Sequence, residues 1–197
     1  MFGLVVFEDT FNTNFDGIVG MAYPEFAEPG VTPFFDSLMD SGILGQKVFA
    51  FHMSMNIDEE ESELLLGAWD ESRFEGELDW HDVVHRLFFS IQLDDVLIDG
   101  KSLGLCGPDS GKNCLLTPDS GTSMITFPSW AHAEFMNEYG QVEDCEEGSE
   151  YGYGDLTFVI NGKEYALPSH HWMEREYNSS LEAGGSCSTT IGPLDVF

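Results

Sequence analysis

Apolar runs in this chain are short, and Gly, Pro, Asn or Asp interrupts nearly all of them. That punctuation leaves no room for long helices and favours many short strands joined by turns. Strand character falls on residues 2–7, 17–22, 48–53, 64–66, 88–93, 96–98, 115–116, 124–127 and 156–160. Ile91 and Leu93 alternate with Gln92 and Asp94, the period of a half-buried strand. Asn161-Gly162 between Phe158-Val159-Ile160 and Lys163-Glu164-Tyr165 predicts a two-residue hairpin, and Asp99-Gly100 after Val96-Leu97-Ile98 predicts another. Two helices are expected: one opened by Thr32-Pro33 and ended by Gly42, and one from Ser129 to Gly140. The rest reads as all-β. With 42% hydrophobic residues, 16 Phe and 4 Trp, a buried core is feasible.

Seven Lys and Arg against 36 Asp and Glu leave a formal net charge of −29. Nucleic acid and anionic membrane surfaces are poor partners for such a chain, because both select clustered Lys and Arg. Self-repulsion is strong at neutral pH and falls where carboxylates are protonated, which suits an acidic compartment. Acidic runs such as Asp58-Glu59-Glu60-Glu61 read as solvated faces. No stretch is apolar for long enough to span a bilayer.

The four cysteines allow three pairings. Cys106 and Cys114 flank the turn-rich Gly107-Pro108-Asp109-Ser110-Gly111-Lys112-Asn113, whose ends can meet, and Cys145 with Cys187 would close a longer loop. Zinc is the competing reading, but neither pair has knuckle spacing and His132, His170 and His171 show no ligand register. The disulfide reading places the folded chain in an oxidising compartment. Asn178-Ser179-Ser180 is an N-glycosylation triplet on the same route. Met1-Phe2-Gly3-Leu4 has no basic segment of a secretory signal, so the natural polypeptide is expected to begin upstream.

Chemistry concentrates at Asp119-Ser120-Gly121-Thr122-Ser123, set between Cys114-Leu115-Leu116 and Met124-Ile125-Thr126-Phe127-Pro128. An Asp on a tight Gly turn between apolar strands is expected in a buried, hydrogen-bonded loop where a carboxylate can be tuned. The segment resembles the second Asp-Thr/Ser-Gly-Thr/Ser motif of pepsin-like (cathepsin D-like) aspartic endopeptidases. Other segments resemble the same family in the same order. Phe15-Asp16-Gly17-Ile18-Val19-Gly20-Met21-Ala22-Tyr23-Pro24 is similar to its F-D-G-I-L-G-x-A-Y-P run. Thr32-Pro33-Phe34-Phe35-Asp36 with Val48-Phe49-Ala50 resembles the helix and strand that follow. Leu66-Gly67-Ala68-Trp69-Asp70 and Gly76-Glu77-Leu78-Asp79-Trp80 resemble the segment joining the lobes. A short disulfide loop before the motif, here Cys106–Cys114, and a longer one after it, here Cys145–Cys187, are family features too.

The resemblance implies a bilobal all-β acid-protease fold, with residues 1–71 the end of an incomplete N-terminal lobe and 72–197 most of the C-terminal lobe. It implies an endopeptidase in which Asp119 is one of two aspartates sharing a proton and activating a water on a protein or peptide substrate. Ser120, Gly121 and Thr122 would support the loop, with Gly121 admitting the backbone and the Thr122 hydroxyl orienting the carboxylate. Phe11, Phe15 and Ile18 would line the pocket before the scissile bond, although Phe15 and Ile18 also read as plain core. Thr117 would form the wall of the pocket after it. No cofactor or metal is implied, and the location would be the secretory pathway, either lysosome- or vacuole-like or secreted. The first Asp-Thr-Gly motif is absent from the chain, so the chain alone is expected to be inactive, with the N-terminal lobe as its partner. A catalytically inactive pseudo-protease or peptide-binding module is the alternative. Pro118 stands where the family usually has Val. The end, Ile191-Gly192-Pro193-Leu194-Asp195-Val196-Phe197, resembles the lead into an apolar-apolar-Gly-Asp strand. The favoured reading stops the chain before that glycine and the other puts Leu194 in the glycine's place; on either, the Asp119 loop is expected to lack its usual partner strand. Mass mapping of a non-reduced digest should show Cys106–Cys114 and Cys145–Cys187 peptides; a Cys114–Cys145 link would overturn that pairing.

Overall fold

The computed structural model describes residues 17–54, 60–107, 110–145, 153–176 and 185–195, with the backbone alone for 141–145, 175–176 and 185. The chain divides into two compact units. The first holds the described residues up to Trp80 together with His85–Phe89, and the second holds His81–Val84 and the described residues from Ser90 onward.

In the first unit, helix α1 (Phe34–Ser41) starts behind Pro33, whose missing N–H costs nothing there, and ends at Gly42 in the left-handed region at φ 71°. Strands β1 (Phe49–His52) and β2 (Glu63–Leu66) form an antiparallel pair with Phe49 opposite Leu66. Gly67, at φ 82°, donates its N–H to Val48 O at 2.8 Å, and a Cβ there would stand 3.3 Å from Gly45 N. Phe35 is buried and meets Phe49 edge-on at 4.9 Å, and Phe49 meets Phe89 at 5.4 Å. This compact unit runs on past Glu71 to Trp80. Arg73 reaches Glu63 at 3.1 Å and also pairs with Glu60, while Trp69 and Trp80 meet edge-on at 5.9 Å.

The second unit contains most of β3 (Val83–His85), then β4 (Ser90–Leu93), β5 (Asp95–Ile98), β6 (Lys101–Ser102), β7 (Cys114–Leu116) and β8 (Thr126–Phe127). After them come α2 (Ser129–Tyr139), β9 (Gln141–Cys145), β10 (Leu156–Ile160), β11 (Lys163–Leu167), β12 (Met173–Glu176), β13 (Gly185–Thr189) and β14 (Gly192–Pro193). Its sheets are ordered β11-β10-β5-β6, β12-β13-β9 and β3-β4-β7, with a further pair β14-β8. Both expected hairpin turns form: Asn161 and Gly162 lie at φ 51° and 73°, Asp99 and Gly100 at 51° and 71°, the positive values a primed turn demands. Helix α2 buries Ala131, Phe135 and Tyr139, one face at four-residue spacing. These residues join Leu93, Val96, Ile98, Phe127, Leu156 and Trp172 in one core. The Cys106–Cys114 disulfide is present. Cys187 is buried and disulfide-bonded, and the side chain of Cys145 falls outside the described set.

Several expectations require correction. Residues 17–22 carry no sheet pairing. Phe88 and Phe89 do not extend β4: their rings pack on Phe26 at 4.8 Å and on Tyr23 at 4.6 Å, so aromatic contacts pull them out of strand geometry. Alternation in β4 is also imperfect, since Ser90 and Leu93 are the buried residues and Ile91 is only half-buried. Segment 2–7 lies outside the described residues. The partner strand expected to be missing is present. Gly192 and Pro193 run parallel to Thr126 and Phe127, Gly192 N–H donates to Ile125 O at 2.9 Å, and Leu194 N–H donates to Phe127 O at 2.9 Å. Asp195 then accepts from Ser129 N–H at 2.8 Å and from Ser129 Oγ–H at 2.6 Å, capping α2 from 66 residues away.

The Ser129 hydroxyl, and after it the Ser129 N–H, hold the Asp195 carboxyl below its usual range. A depressed carboxyl stabilises the fold above its unfolded-state value, and that contribution is lost as pH falls through the folded value. Thermal unfolding of Asp195→Asn against the parent should therefore show a lower Tm near neutral pH. The gap should close as the pH drops through the acid range; a gap independent of pH would exclude the charged cap.

Candidate active site

Strand β7 delivers the chain into the loop, and β8 carries it away, so the Asp119 turn is anchored at both ends in the second unit. Within the turn, Gly121 N–H donates to Asp119 Oδ1 at 2.8 Å, an Asx turn in which the side chain closes on the backbone two residues on. The Thr122 hydroxyl donates to Asp119 Oδ2 at 2.6 Å. Both carboxylate oxygens thus have a donor, and the plane of the carboxylate is set by its own loop. A Cβ at position 121 would stand 3.1 Å from Asp119 Oδ1, so glycine is what lets the backbone come this close.

Asp119 is exposed, as are Thr117, Pro118, Ser120 and Gly121; Thr122 is half-buried. The expected burial of this loop is therefore corrected. Its apolar flanks do not cover it, because Leu115 and Met124 are themselves 46% and 52% exposed. The hydrogen-bonded half of the expectation is met entirely by local donors.

Among the remaining expected site residues, Ile18 belongs to the first unit and is 75% exposed, which removes its reading as core. Phe11, Phe15 and Asn178 lie outside the described residues. Thr117 Oγ1 lies 2.8 Å from the Oγ of Ser90, a residue that sequence reasoning passed over. Continuing the antiparallel register of Ile91 with Leu116 sets Ser90 opposite Thr117, a relation visible only once β4 and β7 are known to pair. Among the described residues, no group of three or more His, Cys, Asp or Glu side chains is placed to hold a metal ion. The chemistry on offer is that of one oriented carboxylate, open to solvent, able to hold a water or pass a proton.

Comparison with known proteins gives a consistent answer. The family model for eukaryotic aspartyl proteases matches residues 1–195. Pepsin A of Sus scrofa is 32% identical over 188 residues, spanning 92% of this chain and 46% of that protein. Cathepsin E of Cavia porcellus is 31% identical over 200 residues, with 94% and 46% covered. Gastricsin of Mus musculus is 31% identical over 194 residues, with 92% and 45% covered. The chain spans about half the length of these relatives.

Thr122→Val removes one of the two anchors of the carboxylate and should accelerate hydrogen exchange at the Gly121 amide roughly fivefold, as expected for a loss of ~1 kcal/mol of local order. Thr122→Ser should leave the rate near the parent's. Equal rates in all three proteins would mean that the hydroxyl does not hold the loop.

Proposed function

This chain belongs to the eukaryotic aspartyl protease family, and from that premise we propose that it is the second-lobe portion of an aspartic endopeptidase. The observation that carries the proposal is the Asp119 carboxylate, with both oxygens held by Gly121 and Thr122 and its outer side open. Asp119 and a second aspartate, supplied from the part of the relatives' length that this chain does not span, share one proton, because like charges that close do not both ionise. The ionised member takes a proton from a bound water as the water oxygen attacks the scissile carbonyl. The protonated member hydrogen-bonds the developing oxyanion, and the carbon–nitrogen bond breaks as the amine leaves protonated. Gly121 and Thr122 hold Asp119 in register for that exchange, while Ser120 completes the turn. Thr117 flanks the substrate on the second lobe, and Phe11, Phe15 and Ile18 line the first.

The amino-terminal half of the protease is also the proposed partner of the first unit. Strands β1 and β2 form a two-stranded sheet, and Phe51, Leu64 and Leu66 on it are 45%, 41% and 37% exposed. A pair of strands with apolar residues open to water is marginal alone and gains stability from added strands. The proposed boundary of the two lobes lies after Glu71. The proposed setting is the secretory pathway, lysosome- or vacuole-like or extracellular, where the Cys106–Cys114 bridge persists. There Cys145 would pair with Cys187 and Asn178 would carry a glycan.

The purified chain, assayed on an unfolded protein at acid pH, should be inert alone and gain activity when combined with an amino-terminal half. Asp119→Ala should abolish that gain. Activity of the lone chain that survives Asp119→Ala would place the site elsewhere, and activity lost with it would show two copies each donating one aspartate. Peptide binding without cleavage in the combined sample would support the inactive pseudo-protease instead.

A further inference from the structure

The hydroxyl of Ser90 has a single hydrogen-bond partner among the described residues, Thr117 Oγ1 at 2.8 Å. The two ends of this bond differ sharply in their surroundings. Ser90 is 3% exposed at the start of β4, whereas Thr117 is exposed, two residues before Asp119. A hydroxyl carries one hydrogen and two lone pairs. If Thr117 donated, the Ser90 hydrogen would be buried without an acceptor, which costs the full desolvation of that group. If Ser90 donates, both groups are satisfied, and the Thr117 hydrogen remains at the exposed end. Burial therefore sets the direction of the bond. Donation into Thr117 Oγ1 also polarises its own O–H and makes it a better donor.

Chain geometry keeps this donor near the carboxylate, since two residues span at most about 7 Å between Cα atoms. We propose that Ser90 is a positioning residue whose buried hydroxyl turns Thr117 into an outward donor beside Asp119. This pair selects peptides that present a hydrogen-bond acceptor where they pass Thr117. The inference rests on the reading that a peptide is held at Asp119, and it adds a chemical preference which that reading leaves open. A Thr with a free rotor would offer its methyl or its hydroxyl with little distinction. The bond to Ser90 removes that freedom before substrate arrives, so less order has to be created on binding.

The test uses hexapeptides in which Gln replaces its near-isostere Leu at each position in turn. They are titrated at acid pH into the chain, alone and combined with the amino-terminal half used in the cleavage assay. At one position Gln should bind about fivefold tighter than Leu, the scale of one net hydrogen bond. Thr117→Val should bring that ratio to about one, Thr117→Ser should keep it, and Ser90→Ala should reduce it to roughly half. Near-ultraviolet circular dichroism checks that each variant is folded, and Ser90→Cys, with its weak donor, replaces Ser90→Ala if the latter is not. A ratio untouched by Thr117→Val, or lost with Thr117→Val but unchanged by both Ser90 variants, would overturn the role of Ser90 and leave the peptide site standing. Absence of binding by any peptide in either sample would sink the peptide site and this inference together.

Discussion

Phe135 and Trp172 stand with ring centroids 6.1 Å apart at the centre of the second unit, 2% and 0% exposed. Tyr139, Phe127 and Tyr153 add further ring contacts around them. Among the described residues, the sheets of this unit have two to four short strands, and such short strands gain much of their stability from packing on other elements. Their stability comes from sharing one apolar cluster, into which β5 sends Val96 and Ile98, β10 sends Leu156 and Ile160, and α2 sends Phe135. Truncating a ring at this centre would forfeit both its transfer free energy and the contacts of its neighbours, a loss of about 3–5 kcal/mol for a buried Phe.

The same helix that anchors the core also holds the strand beside the Asp119 segment. From the exposed edge of its first turn, Ser129 binds Asp195, and one turn later His132 Nε2 lies 3.2 Å from Ile191 O. Segment 191–195 is thereby gripped along its length by α2 while it pairs in parallel with β8. The chain leaving the Asp119 turn at β8 thus pairs with β14 on one edge, and β8 itself sends Phe127 into the core, so the turn is anchored on packed structure. Polar groups are used sparingly in this arrangement, each where a backbone group or a helix end would otherwise be unpaired.

Charge acts on a different scale. With −29 formal charges, the folded surface repels itself at neutral pH, and seven Lys and Arg can offset only part of that. One that does is Arg73, which gathers Glu60 and Glu63 in the first unit, and Asp70 lies nearby at 3.9 Å. Lys112 instead caps the ring of Trp130 at 3.3 Å, fastening the disulfide loop to α2 through a cation–π contact. Lower pH relieves the general repulsion and at the same time weakens charged caps such as Asp195, so the two effects on stability oppose each other.

What was legible in the sequence is what forms within about ten residues. The turns at Asn161-Gly162 and Asp99-Gly100, the ends of both helices, the Cys106–Cys114 loop and the bonds from Gly121 and Thr122 to Asp119 are all of this kind. In each, the chain itself brings the partners together; residue type and spacing indicate the turns, the helix ends and the cysteine loop, while the parts of Gly121 and Thr122 were implied by the family resemblance. The exposure of Asp119, the aromatic capture of Phe88 and Phe89, the cap of Asp195 on Ser129 and the pairing of Ser90 with Thr117 were decided by tertiary structure alone. Their partners lie 27 residues apart in the Ser90 pair and 66 in the Asp195 cap. At such separations closing the loop costs conformational entropy that no local preference repays, and only the packing of the whole core selects which groups meet.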